Sequence, residues 1–182
     1  MQRQIVHCDL DTFFVSVARL QNSRLIGKPV LIGGSSRRSV VASCSYEARR
    51  FGVHSAMPLA MARKLCPEAI VLKGDFERYT YYSKMVTEIL EEQLPIVEKA
   101  SIDEHYIDMT GMDKFFGTWK ITQEMRNRII SETGLPISFG LSINKTVSKI
   151  ATGEAKPNGE RKVNLGTEKS FLAPLSIKKI PG

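Results

Sequence analysis

Two adjacent carboxylates, Asp103 and Glu104, sit between apolar runs of β type, Ile96-Val97 before them and Tyr106-Ile107 after. Like charges at the join of two strands repel and do little for a sheet. A divalent cation, by contrast, takes hard oxygen ligands, and Mg²⁺ commonly uses one or two carboxylates plus water and substrate phosphate. An arbitrary Asp-Glu pair is more often a solvated turn. A third carboxylate and a cradle for phosphates would decide for the metal.

Asp9 is the candidate third carboxylate, because Ile5-Val6-His7-Cys8 reads as a short strand that delivers it at a strand-to-helix junction. Two divalent ions roughly 4 Å apart can activate an attacking oxygen and stabilise a leaving one. Phosphoryl transfer then asks the protein for little beyond positioning and cations on the phosphates. Asp11 and Asp108 compete for the same role; we read Asp11, or Thr12, as the N-cap of the next helix and Asp108 as a strand or supporting residue. The cradle candidates are Tyr46 and Arg49, which share a helical face after Ser45, and Lys156 in Lys156-Pro157-Asn158-Gly159. Taken singly, each fits a solvated helix start or a tight turn better. No Gly-x-x-x-x-Gly-Lys-Ser/Thr loop occurs, and His7, His54 and His105 form no metal-ligand spacing.

The elements that must position these residues follow from periodicity. Helical spacing covers Phe13 to Leu20, a start at Ser45, and the segments from Pro58 to Leu65 and Asp75 to Leu94. It recurs from about Phe116 to Glu132 and after Asn144, which caps its helix. Strands are expected at Pro29–Ile32, Ser39–Ser43, Ala69–Leu72, Ile137–Ser142 and Lys162–Leu165. Without residues 13 to 74 the order is β, α, β, β, α, β, the α+β, ferredoxin-like βαββαβ pattern of polymerase palms. The omitted stretch is a small α/β insertion, with the basic pairs Arg37-Arg38 and Arg49-Arg50.

The 182 residues, 42% apolar with a net charge of +7, suit one globular chain with an anionic partner. Three widely spaced cysteines argue against a disulfide framework and for a reducing, cytoplasmic setting. No apolar run approaches a membrane span, and no signal peptide is seen.

Four motifs carry a resemblance. They are His7-Cys8-Asp9-Leu10-Asp11-Thr12-Phe13-Phe14, Ser45-Tyr46-Glu47-Ala48-Arg49-Arg50-Phe51-Gly52-Val53, Ser101-Ile102-Asp103-Glu104 with Tyr106-Ile107-Asp108, and Ala155-Lys156-Pro157-Asn158-Gly159. In this order and spacing the sequence resembles the Y-family, lesion-bypass DNA polymerases of the bacterial DNA polymerase IV type. The resemblance implies a palm (1–12 and 75–166), fingers (13–74) and the start of a truncated thumb (167–182). It implies that Asp9, Asp103 and Glu104, with the Leu10 carbonyl, hold two Mg²⁺ ions when nucleotide and DNA are bound. Tyr46, Arg49 and Lys156, helped by Ser43, would bind the incoming triphosphate, and Phe14 would be the steric gate against a 2′-hydroxyl. Primer–template DNA and a deoxynucleoside triphosphate are the implied partners. A sliding clamp would bind through a C-terminal region beyond Ile180-Pro181-Gly182, and the protein would be a monomer. A fragment of this length is expected to show little activity alone. A palm-fold, cyclase-like enzyme and a basic DNA-binding module without catalysis are the alternatives. His105 departs from the small residue common there, and strand alternation turns it away from Glu104.

Overall fold

The computed structural model describes residues 2–36, 38–112 and 117–181. Arg37, the expected helix start at Phe116 and the terminal Gly182 lie outside the described residues. The chain forms two compact units, one of Met1–Asp11 with Ser83–Gly182 and one of Thr12–Tyr82.

The first unit is built on a five-stranded sheet. Its strands are β1 (Ile5–Leu10), β5 (Val97–Lys99), β6 (Glu104–Asp108), β7 (Ile137–Ser142) and β8 (Glu160–Lys162), in the order β5-β6-β1-β7-β8. Neighbours among the first four are antiparallel, and β8 adds to the edge parallel to β7. With α4 (Phe76–Gln93), which carries the chain into this unit, and α5 (Thr118–Thr133), this is the ferredoxin-like order expected from the sequence. β7 is buried along its whole length, and β1 almost so. Neither strand can rely on water to satisfy its backbone, so both sit inside the sheet.

Register fixes which side chains share a face. His7 lies opposite Tyr106 and Gly140, and Asp9 opposite Glu104 and Ser138. This face is covered by α6 (Lys145–Ala155), whose N-cap Asn144 accepts from the Val147 N–H as expected. Gly140 is what lets α6 approach: a Cβ there would stand 2.3 Å from the Ser148 carbonyl and 2.6 Å from the Thr152 nitrogen. The other face, with Cys8, His105 and Phe139, meets α4 through Thr87 and α5 through Trp119.

One expectation is corrected, and another is met in position but not by a side chain. The last strand is Glu160–Lys162, not Lys162–Leu165, because pairing with Phe139–Leu141 sets its bounds and apolarity does not. Thr12, in left-handed backbone with φ 42°, holds the N-cap position of α1 (Phe13–Gln21), and no side chain caps it; the Asp11 carboxylate is engaged elsewhere.

The second unit has a three-stranded sheet, β3-β2-β4, made of β2 (Val30–Gly33), β3 (Val41–Cys44) and β4 (Ile70–Leu72). β2 runs antiparallel to β3 and parallel to β4. Leu31, Val41, Cys44, Ala48, Val53 and Leu59 form one core cluster, which includes α2 (Tyr46–Arg49) and α3 (Leu59–Leu65). Val15, Leu25, Val30 and Ile32 form a second cluster beside α1. The chain closes with α7 (Glu168–Leu172) and a 3-10 turn at Ile177–Lys179. No helix among the described residues is long and apolar enough to cross a membrane.

Candidate active site

Asp9 and Glu104 are directly paired across β1 and β6, on the face that α6 covers. Side chains at such a pair stand close enough for like charges to repel, so cations are needed, and α6 supplies them. The Lys149 ammonium donates to Glu104 Oε1 at 2.6 Å, and the Lys156 ammonium donates to Asp9 Oδ1. Asp103 sits one residue before β6. Its carbonyl accepts the Leu10 N–H at 3.0 Å, and its carboxylate accepts from Ser101 Oγ at 2.7 Å.

The electrostatics separate the two paired carboxylates. Burial pushes the Asp9 carboxyl up to about 7, against the pull of Lys156, and the charges of Asp103 and Glu104 push in the same direction as burial. Glu104 is held down at about 2, by the facing His7 imidazole and by Lys149, against the effect of its own burial. The His7 Nε2 stands 3.6 Å from Glu104 Oε1, longer than a hydrogen bond. The 2.6 Å Lys149 ion pair is therefore the firmer of the two contacts. Burial lowers the His7 pKa, against the pull of Glu104.

His7, Asp9 and Glu104 offer ligand atoms within 4.8 Å of one another. The donor set is hard oxygen with one imidazole, and the buried His7 Nε2 has no hydrogen-bond partner among the described residues. Each carboxylate already carries a cationic ammonium. These residues fit a divalent ion. Spacing alone gave no sign of His7, a single histidine inside a strand. Nor did it mark Lys149, which lies on α6 seven residues before Lys156, the extended C-cap of that helix.

The remaining expected residues belong to the second unit. Ser45 accepts from the Ala48 N–H and caps α2, and the Arg49 guanidinium lies 4.9 Å over the Tyr46 ring. Ser43 is buried on β3 opposite Ile32. The Phe14 ring stacks on Tyr79, with centroids 4.0 Å apart and planes 15° from parallel; Phe13 and Phe76 are also within ring contact. Core packing and a rigid wall are both consistent with such a stack.

Comparison with known proteins bears on this arrangement. A family model described as the impB/mucB/samB family matches residues 8–153. A DNA polymerase IV of Treponema denticola is 46% identical over 182 residues, covering 100% of this chain and 46% of the relative. A DNA polymerase IV of Dehalococcoides mccartyi strain CBDB1 is 45% identical, covering 99% of this chain and 47% of the relative. Among solved structures, the crystal structure of DinB from Sulfolobus solfataricus superposes with a TM-score of 0.91 at 29% identity, covering 98% of this chain and 53% of that one. The insertion ternary complex of Dbh DNA polymerase gives 0.89 at 31%, covering 98% and 54%. The chain spans about half the length of the curated relatives it matches.

Proposed function

The chain belongs to the impB/mucB/samB family, the Y family of DNA polymerases, and from that membership we propose that it carries the catalytic part of a lesion-bypass, DNA-directed DNA polymerase. The observation that carries the reading is the Asp9–Glu104 pair, two carboxylates fixed face to face by strand register and each attended by a lysine ammonium. A site with that charge demand suits divalent ions and polyphosphate better than it suits sheet stability.

In this reading Asp9, Asp103 and Glu104, with the Leu10 carbonyl, hold Mg²⁺. Bound there, such ions would supply charge neutralisation on the phosphates and at the primer hydroxyl. The protein residues orient and select. Lys149 holds the Glu104 carboxylate in one direction. Lys156 contributes a point charge, and Arg49 a planar fork of donors, to the triphosphate. Tyr46 keeps that guanidinium in place from below, and Ser43 assists with a hydroxyl. Phe14, backed by Tyr79, presents a ring face where a ribose 2′-hydroxyl would need room. Primer–template DNA and deoxynucleoside triphosphates are the substrates. A sliding clamp, a monomeric state and a cytoplasmic location complete the proposal.

Primer extension is the test, made with a chain of the relatives' full length that carries these residues. Asp103→Asn and Glu104→Gln should each lower the insertion rate by a hundredfold or more. Full activity in both variants would remove the metal assignment. Cyclic product formed without primer or template would favour a cyclase instead.

A further inference from the structure

The turn Lys156–Gly159 is held more firmly than its exposed position requires. Asp11, 1% exposed, accepts from Ser138 Oγ at 3.0 and 2.9 Å and from the Asn158 N–H at 2.6 Å. Ser138 Oγ in turn accepts the Gly159 N–H at 3.1 Å. From the side, the Arg126 guanidinium on α5 donates through Nε to the Ile137 carbonyl at 3.0 Å. Its Nη2 donates to the Asn158 carbonyl and Oδ1 at 2.8 and 2.7 Å. Asn158 has φ 50°, and Gly159 is required because a Cβ would stand 2.1 Å from the Ala155 carbonyl.

We infer that Asp11, Ser138 and Arg126 form a brace whose task is to position Lys156, the residue that begins this turn, for the triphosphate. The inference rests on the nucleotide reading of Lys156 given above. The single Ser138 hydroxyl proton is shared between the two Asp11 oxygens, and Oδ2 also takes the Asn158 N–H, so Asp11 serves the turn. A lysine is a point charge on a flexible stem of four methylenes. The protein can preorganise only its backbone anchor, and small misplacements of a phosphate-binding charge are expensive in rate. Tying Asn158 and Gly159 to β7, α5 and the end of β1 fixes that anchor, and Asp11 Oδ1 also stands 3.9 Å from the ammonium itself. The three brace residues therefore act through Lys156 and are positioning residues.

Arg126 is the variant to test, because it is partly exposed and its loss leaves the core intact. In the 182-residue chain, amide hydrogen exchange at Asn158 should speed up about tenfold in Arg126→Ala, the equivalent of one charge-assisted hydrogen bond. Exchange at Ile150, inside α6, should not change. Arg126→Lys should fail to rescue, since one ammonium cannot reach the Ile137 and Asn158 carbonyls together. In a polymerase chain of full length, single-turnover insertion should show deoxynucleotide affinity about tenfold weaker in Arg126→Ala, with the maximal rate changed less. In a Lys156→Ala background, Arg126→Ala should add nothing further. Multiplying effects of the two substitutions, or unchanged exchange at Asn158, would overturn the brace. Unchanged nucleotide affinity in Lys156→Ala would overturn the triphosphate reading and this proposal with it, and the exchange data separate that failure from failure of the brace itself.

Discussion

Replacing Gly140 by alanine tests how the Asp9–Glu104 face is assembled. The added Cβ would stand 2.3 Å from the Ser148 carbonyl oxygen, 2.6 Å from the Thr152 nitrogen and 2.8 Å from the Ala151 Cβ. Two of these are backbone atoms of α6, so no rotamer change relieves them. An ordinary carbon–oxygen contact is about 3.3 Å, so the helix must retreat by about 1 Å. Lys149 and Lys156 can follow on flexible stems, but Thr152 cannot. Its 2.8 Å contact with His7 Nδ1 would stretch to about 3.8 Å, past hydrogen-bond length. Overpacking of this kind costs about 1–3 kcal/mol and the lost buried hydrogen bond about 1 kcal/mol, so about 2–4 kcal/mol in all. At about 2–4 °C per kcal/mol for a chain of this size, the melting midpoint should fall by about 4–16 °C. The single tryptophan, Trp119, reports on the strand concerned, because its ring lies 5.1 Å from that of Phe139. Thermal unfolding followed by its fluorescence is the assay. A midpoint within about 1 °C of the parent would show that α6 is not seated on this glycine.

Phe14→Ala should raise ribonucleotide incorporation relative to deoxynucleotide in single-nucleotide insertion, and Tyr79→Ala should do the same to a smaller degree by removing the ring behind the gate. Unchanged sugar selectivity in Phe14→Ala would end that role. Cys8, Cys44 and Cys66 are all buried, and burial pushes the Cys8 thiol from 9.0 up to about 12. A thiol reagent at pH 8 should therefore modify none of them in the folded chain and all three in urea. Because the folded thiol has the higher pKa, its contribution to stability is complete below pH 9 and is lost as pH rises toward 12, which urea midpoints measured across that range should show.

The sequence made legible what depends on neighbours. Strand alternation turned His105 away from Glu104, and the β, α, β, β, α, β order outside the insertion marked the ferredoxin-like sheet. The Asn144 cap was legible for the same reason, since its partner is three residues away. What stayed hidden depends on residues far along the chain. Asp11 looked like a helix cap because local rules favour aspartate there, yet its hydrogen-bond partners lie 127 and 147 residues later. Lys149 looked like one of many solvated lysines until α6 was laid over Glu104, 45 residues earlier. Gly140 reads as a weak point in a strand, and only the helix above it explains why a side chain is excluded.

His105 shows how far alternation alone can carry an argument. It follows Glu104 in the same strand, so the sheet itself separates the two side chains. Thr87 Oγ1 donates its single proton to the Ser83 carbonyl at 2.8 Å, so it must accept from His105 Nε2 at 2.9 Å. That makes the ring the Nε2–H tautomer, with Nδ1 buried and without a partner among the described residues. Burial holds its pKa down at about 4, so the ring is neutral at pH 7. A histidine next to a carboxylate proposed to bind metal invites assignment as a ligand. Here it is a neutral group facing α4, while Glu104 faces Lys149 on α6, and the larger side chain is absorbed by the core without altering the donor set.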